Sequence, residues 1–238
     1  MPFCYKDYEK ILEYLLQNGY SLTLDWRSFP QDKAVALRHD VDIIPELCMQ
    51  LARIEESMDC RSTWFFLESN GLYSIYDSYT RNIIENLISR GHSVQLHLDA
   101  SNVKNEQQMN DLFDKSAEKW FDLFGVNLEC ISFHRPGTFG LLPNCVEYRW
   151  HEKIRCTYDG DIFFSAEYIS DSNRKPISIE TIKEKIEKSK KGIQILTHPL
   201  WWADEELGIE EVRRRVEQAS INRSNRILHE NIKLFSKN

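Results

Sequence analysis

The feature that most limits what this chain can become is a repeating alternation. Short apolar runs of β-type residues are each followed by a longer stretch with helical periodicity. Ala34–Asp40 (AVALRHD), Ser62–Leu67 (STWFFL), His92–Leu98 (HSVQLHL), Glu129–His134 (ECISFH) and Ile193–His198 read as strands, and two short strands are expected within 154–170 around Gly160. Helices are expected over 5–18, 45–58, 79–89, 105–124, 178–190 and 204–232, with Gly19, Gly125 and Gly192 as natural stops. A loop punctuated by Pro136, Gly137, Gly140 and Pro143 follows the fourth strand. Strands separated by helices of this length cannot be hairpins, so they form βα units and a parallel sheet. Six or seven such units in 238 residues favour a barrel, in which reactive side chains gather at the C-terminal strand ends. No repeat, low-complexity tract or flexible linker interrupts the pattern, and residues 1–238 are expected to form a single domain.

Composition removes several classes of function. With 30 Lys+Arg against 37 Asp+Glu the formal net charge is -7, which argues against a nucleic-acid binder. No run approaches the ~20 apolar residues of a membrane span. Met1 to Glu9 contain no apolar leader core, so a cytoplasmic location is expected. Cys4, Cys48, Cys60, Cys130, Cys145 and Cys156 include no C-x-x-C pair, consistent with reduced thiols.

The chemistry-bearing residues stand at the predicted strand ends. Arg38-His39-Asp40-Val41-Asp42, His97-Leu98-Asp99, His134-Arg135-Pro136 and His198-Pro199 with Trp201-Trp202 are far apart in sequence, yet a parallel barrel brings such ends to one mouth. Imidazoles and carboxylates are the donors that hold a zinc-like divalent cation, about three of them in a catalytic site. Asp40 and Asp42, two residues apart, point to one face of their strand. They repel unless a cation or an arginine neutralises them, and one can then hold metal while the other acts as a general base. The alternative is that both merely cap the following helix. His39 alternates away from Asp40 and is expected to be structural, as is His92 at the start of its strand.

These strings resemble, in order, the motifs of the polysaccharide deacetylase family (the NodB-homology group, carbohydrate esterase family 4), over a motif-bearing core at 34–202. His39-Asp40-Val41-Asp42 is similar to the first motif, which implies Asp40 as base and Asp42 as metal ligand. Gly91-His92-Ser93-Val94-Gln95-Leu96-His97 is similar to the second and implies His97 as ligand. Arg135-Pro136-Gly137 resembles the third, implying that Arg135 orients the base. Leu196-Thr197-His198-Pro199 resembles the last, implying His198 as general acid. The implied fold is α/β, a distorted (β/α)7-type barrel. One position departs from the family: Ser101 stands where a further histidine ligand belongs. His134 is the preferred replacement and Asp99 the second candidate.

The resemblance implies hydrolysis of an N-acyl group, acetyl first, from an amino sugar. Zinc is the expected metal, a nucleotide- or lipid-linked sugar precursor the expected partner, and surface-polysaccharide biosynthesis the expected setting. An ionised Asp40 working with a protonated His198 implies a bell-shaped pH profile. Trp201 or Trp202 is a candidate to stack on a sugar, and Asp171 and Asp99 are further candidates for substrate contact. Asp171 has turn capping as its alternative. Two other functions stay open: a catalytically silent carbohydrate-binding homologue, which Ser101 allows, and an amidohydrolase acting on a small non-sugar amide. The oligomeric state is left undetermined.

Overall fold

The structure, a computed structural model, describes residues 3–136, 151–188 and 191–235. Its helices are α1 (Tyr5–Gln17), α2 (Cys48–Ser57), α3 (Ser78–Ser89), α4 (Glu106–Phe124), α5 (Gly160–Phe163), α6 (Ile179–Lys188) and α7 (Ile209–Asn231). Its strands are β1 (Ser21–Leu22), β2 (Ala34–Val41), β3 (Thr63–Leu67), β4 (Ser93–Leu98), β5 (Cys130–Phe133), β6 (Arg155–Cys156), β7 (Glu167–Ser170) and β8 (Ile193–Thr197). No helix among the described residues is long and apolar enough to cross a membrane.

Every pairing between strands is parallel, and the order is β6-β5-β4-β3-β2-β8-β7, with β1 beside the start of β2. Read as a circle, that order is the chain order from β2 to β8 with one break, between β6 and β7. Among the described residues the sheet is therefore a barrel wall left open at a single seam: a barrel, as the βα pattern predicts, and of the distorted (β/α)7 form that the family resemblance implies. Helix α5 crosses the seam, and the ring of Phe163 lies 6.0 Å from Tyr158 on one side and 5.5 Å from Tyr168 on the other. Gly160, expected between two short strands, opens that helix.

Both faces of the wall are covered, so β2, β3 and β8 are buried along their whole length. The outer face of the sheet and the helices share the large core, including Leu12, Leu37, Leu51, Trp64, Ile84 and Ile195. A smaller cluster of Trp26, Phe29, Ala34, Ala36, Phe65, Cys130 and Ile162 fills the inside at the N-terminal end of β2. The inward residues of β2 thus run from Ala34 and Ala36 to Arg38 and Asp40, from an apolar plug to charge. Registers pair Asp40 with Phe65, Phe65 with Gln95, and His97 with Ser132, which sets Asp40 of β2, His97 of β4 and Ser132 of β5 toward one end.

Boundaries differ from the sequence reading by a residue or a few. The last helix begins at Ile209 where 204 was expected, with Gly208 as its N-cap and the Glu211 side chain accepting from the Gly208 amide. Of the loop expected after β5, Gly137, Gly140 and Pro143 lie outside the described residues.

Ile162 brings α5 into the inner plug and is fully buried. Ile162→Ala should therefore lower the unfolding free energy by about 2–5 kcal/mol in a urea titration. A loss under about 1 kcal/mol would show that the seam is not sealed by this side chain.

Candidate metal and catalytic site

The site is built upward from Arg38. This guanidinium is fully buried inside the barrel, 5.5 Å from the Phe65 ring and 4.9 Å from the Tyr158 ring. It donates from Nη1 to Thr157 Oγ1 at 2.8 Å and to Gln194 Oε1 at 3.3 Å, and from Nη2 to Tyr158 at 3.2 Å. Its remaining bonds reach Asp40 in a fork, Nε to Oδ1 at 2.8 Å and Nη2 to Oδ2 at 2.6 Å. Burial opposes the carboxylate's charge, but Arg38 outweighs it and holds Asp40 below the usual range.

Asp42 stands just beyond the end of β2. Its Oδ1 lies 3.3 Å from His97 Nε2 and 3.4 Å from His134 Nδ1, without a hydrogen bond of acceptable geometry to either. The two imidazole nitrogens are 3.2 Å from each other. Ser132 on β5 engages the other ring nitrogen of His97, Nδ1, at 2.5 Å, which aims Nε2 at the cluster. The ligand atoms of Asp42, His97 and His134 all fall within 4.8 Å of one another. An enclosed carboxylate oxygen with no hydrogen bond, faced by two imidazole nitrogens, is the environment a divalent cation fits. Burial works against the charge on Asp42, and the histidines around it more than reverse this, holding its carboxyl far below the usual range.

His198 follows β8 and faces the same mouth. Its Nδ1 is 2.5 Å from Asp171 Oδ1, its backbone N–H donates to both Asp171 oxygens at 3.1 and 2.9 Å, and its Nε2 lies 3.8 Å from Asp42 Oδ2. Burial disfavours the imidazolium, but the Asp171 hydrogen bond and charge, with Asp40 and Asp42 behind them, push its pKa up to about 9. A cavity of about 110 Å³ opens here, lined by Asp40, Asp42, His198 and the apolar Ile43, Leu200 and Trp201 among others.

Most residues singled out from the sequence meet at this end: Asp40, Asp42, His97, His134, His198 and Trp201. Arg135, expected to orient the base, is exposed at the rim with φ 49°, and its charge acts on Asp99. The arginine bonded to Asp40 is Arg38, because residues two apart on a strand share a face. Asp171, expected near substrate hydroxyls, is fully buried and spends both oxygens on His198 and on the Trp202 indole at 3.0 Å, which leaves none for a substrate. Trp202 is accordingly core, while Trp201 is half-buried on the cavity wall. Asp99 is exposed and accepts from the Ser101 backbone, so neither belongs to the ligand cluster.

No protein-family model matches the sequence, and no curated protein does. Among solved structures the chain is similar to a carbohydrate esterase family 4 pseudoenzyme from Bacillus anthracis (11% identity, 77% of this chain and 60% of that one, TM-score 0.45). It is also similar to the catalytic domain of a peptidoglycan N-acetylglucosamine deacetylase from Eubacterium rectale (18% identity, 87% and 90%, TM-score 0.43). A third is a family 4 acetyl xylan esterase from Clostridium thermocellum in complex with cobalt (13% identity, 79% and 84%, TM-score 0.45). The chain spans about three fifths of the length of the pseudoenzyme structure.

Removing Arg38 would leave a buried carboxylate without its partner. Arg38→Met should cost about 3–5 kcal/mol of stability in chemical unfolding, whereas Arg135→Met at the exposed rim should cost less than about 0.5 kcal/mol. Equal effects would contradict this assignment of the buried pair. Two of the three similar solved structures, the pseudoenzyme and the acetyl xylan esterase, are of carbohydrate esterase family 4, and each match covers more than three quarters of this chain.

Proposed function

We propose that the chain is a metal-dependent hydrolase that removes an N-acyl group, acetyl first, from an amino sugar. The observation that carries this reading is Asp42 Oδ1, enclosed without a hydrogen bond between His97 and His134. Asp42, His97 and His134 would hold the cation, and nitrogen and oxygen donors of this kind suit zinc. A cation in that position supplies positive charge that polarises an amide carbonyl and makes a water more acidic.

The remaining roles fall to the chain's own residues. Asp40 takes a proton from the attacking water, and Arg38 keeps it ionised and oriented. His198 enters with its proton and gives it to the departing amine, while Asp171 fixes its ring through Nδ1. Trp201 and the apolar residues beside it form the wall against which the acyl group or the sugar face packs. Acetamido sugars carried on a nucleotide or a lipid, as met in the cytoplasm, are the substrates to assay first.

A second reading, silent carbohydrate binding, is favoured by the fork itself. Both oxygens of Asp40 are engaged by Arg38, which lowers their basicity. Two measurements separate the readings. Zinc-supplemented protein should retain about one equivalent after dialysis. Asp42→Ala and His134→Ala should lose it, and Ser101→Ala should keep it. Release of acetate from acetamido sugars should disappear with a chelator and return with zinc. Full zinc retention by Asp42→Ala would remove that carboxylate from the site. Zinc binding without hydrolysis of any amino-sugar amide would leave the silent reading in its place.

A further inference from the structure

The outer face of β2 carries a second set of buried polar groups that the chemistry above does not use. His39 points away from the mouth, its ring stacked on Trp64 at 3.9 Å. Its Nε2 lies 2.7 Å from Glu55 Oε1 on α2, and its Nδ1 2.5 Å from Thr197 Oγ1 on β8. Glu55 also accepts from the hydroxyls of Tyr8 and Ser62, each at 2.5 Å, and its Oε2 is 3.5 Å from His92 Nδ1. Glu55 and His39 are fully enclosed and Thr197 is 1% exposed. Burial opposes the charge of Glu55, yet His39 and the hydrogen bonds hold its carboxyl below the usual range.

Carboxylate, imidazole and hydroxyl in line have the order of a nucleophilic triad. Here the hydroxyl is not placed to meet a substrate, because Thr197 itself is buried on the outer face of the sheet. Its neighbours in sequence suggest another use. His39 precedes Asp40, and Thr197 precedes His198. The two residues are also register partners, and theirs is the last rung of the β2–β8 ladder. Beyond that rung the strands continue to Asp40 and Asp42 on one side and His198 on the other, with no further ladder pairing between them. A side-chain bond at the last rung clamps the pair where splaying would begin.

We propose that Glu55, His39 and Thr197 form a positioning latch that sets the spacing of the β2 and β8 ends, and so the 3.8 Å approach of His198 to Asp42. The kinetic consequence rests on the hydrolase reading; the geometric one does not. Misplacement by about 1 Å in such a constellation can cost on the order of 100-fold in rate. Thr197→Val removes the hydroxyl at nearly constant shape, and Thr197→Ser keeps it.

The test uses the full, zinc-supplemented chain with 15N-labelled histidine. In Thr197→Val the His198 imidazole signals should broaden or split while those of His97 and His134 and the zinc content stay as in the parent. Hydrolysis should then lose about 30- to 100-fold in kcat with KM unchanged. Thr197→Ser should restore both readouts, which loss of packing alone would not produce. Glu55→Gln, expected to give the same His198 change, replaces Thr197→Val if that variant does not fold. Unaltered His198 signals and kcat in the folded variant would overturn the latch. A parent chain that hydrolyses no amino-sugar amide would overturn the hydrolase reading instead, and the His198 signals would then decide the latch alone.

Discussion

A guanidinium sealed inside a barrel is the constraint around which the rest of this molecule is arranged. Desolvating a charge costs several kcal/mol unless paired geometry and hydrogen bonds offset it. Arg38 meets that demand with partners from three places: Asp40 on its own strand, Thr157 and Tyr158 just after β6, and Gln194 on β8. Those segments must arrive together for the charge to be tolerated. The same side chain that makes the interior expensive therefore specifies how the wall closes around it. The two-residue strand β6 has little ladder of its own, and the Arg38 bonds to Thr157 and Tyr158 anchor the chain that leaves it.

The two faces of β2 solve one problem in different ways. Arg38, His39 and Asp40 are consecutive, titratable and buried, an unfavourable run unless every member is satisfied. Inward, Arg38 and Asp40 neutralise each other. Outward, His39 sits between Glu55 and Thr197, and Tyr8 from α1 completes the shell of Glu55. Tyr8 also packs edge-on against Trp202, whose indole donates to the Asp171 that holds His198. The outward network thus reaches the acid side of the mouth through one aromatic contact. Helix α1 is joined to the site by side chains although none of its residues enters it.

How much of this can be read from the sequence depends on range. The strands β2, β3, β4, β5 and β8 announce themselves through apolar runs, and β2 announces its carboxylates through spacing. Two-residue strands such as β1 and β6 are too short to express any periodicity, so only their neighbours reveal them. The rule that sets Asp40 beside Asp42 also sets Arg38 beside Asp40; the likeness of Arg135-Pro136-Gly137 to a motif points away from that local answer. Asp171 is harder. Its partner lies 27 positions later, and only the pairing of β7 with β8 brings the two together. Nothing in Ser170-Asp171-Ser172 distinguishes a turn cap from a buried partner for histidine.

The proposed ligand cluster of Asp42, His97 and His134 does not need a histidine at Ser101. A histidine four residues after His97 would approach the proposed cation site from a turn beyond the strand end, where its position depends on loop geometry. His134 approaches from β5, which is paired to β4 with His97 opposite Ser132. Two residues beyond Ser132 lies one pleat further along the same face, so His134 projects toward the mouth beside His97 by register alone. Its backbone N–H is tied to the Leu98 carbonyl at 2.9 Å, which continues the ladder to that point. As a proposed ligand on the neighbouring strand, His134 would be fixed by the sheet. Ser101 is then free to serve only its turn, through its backbone bond to Asp99.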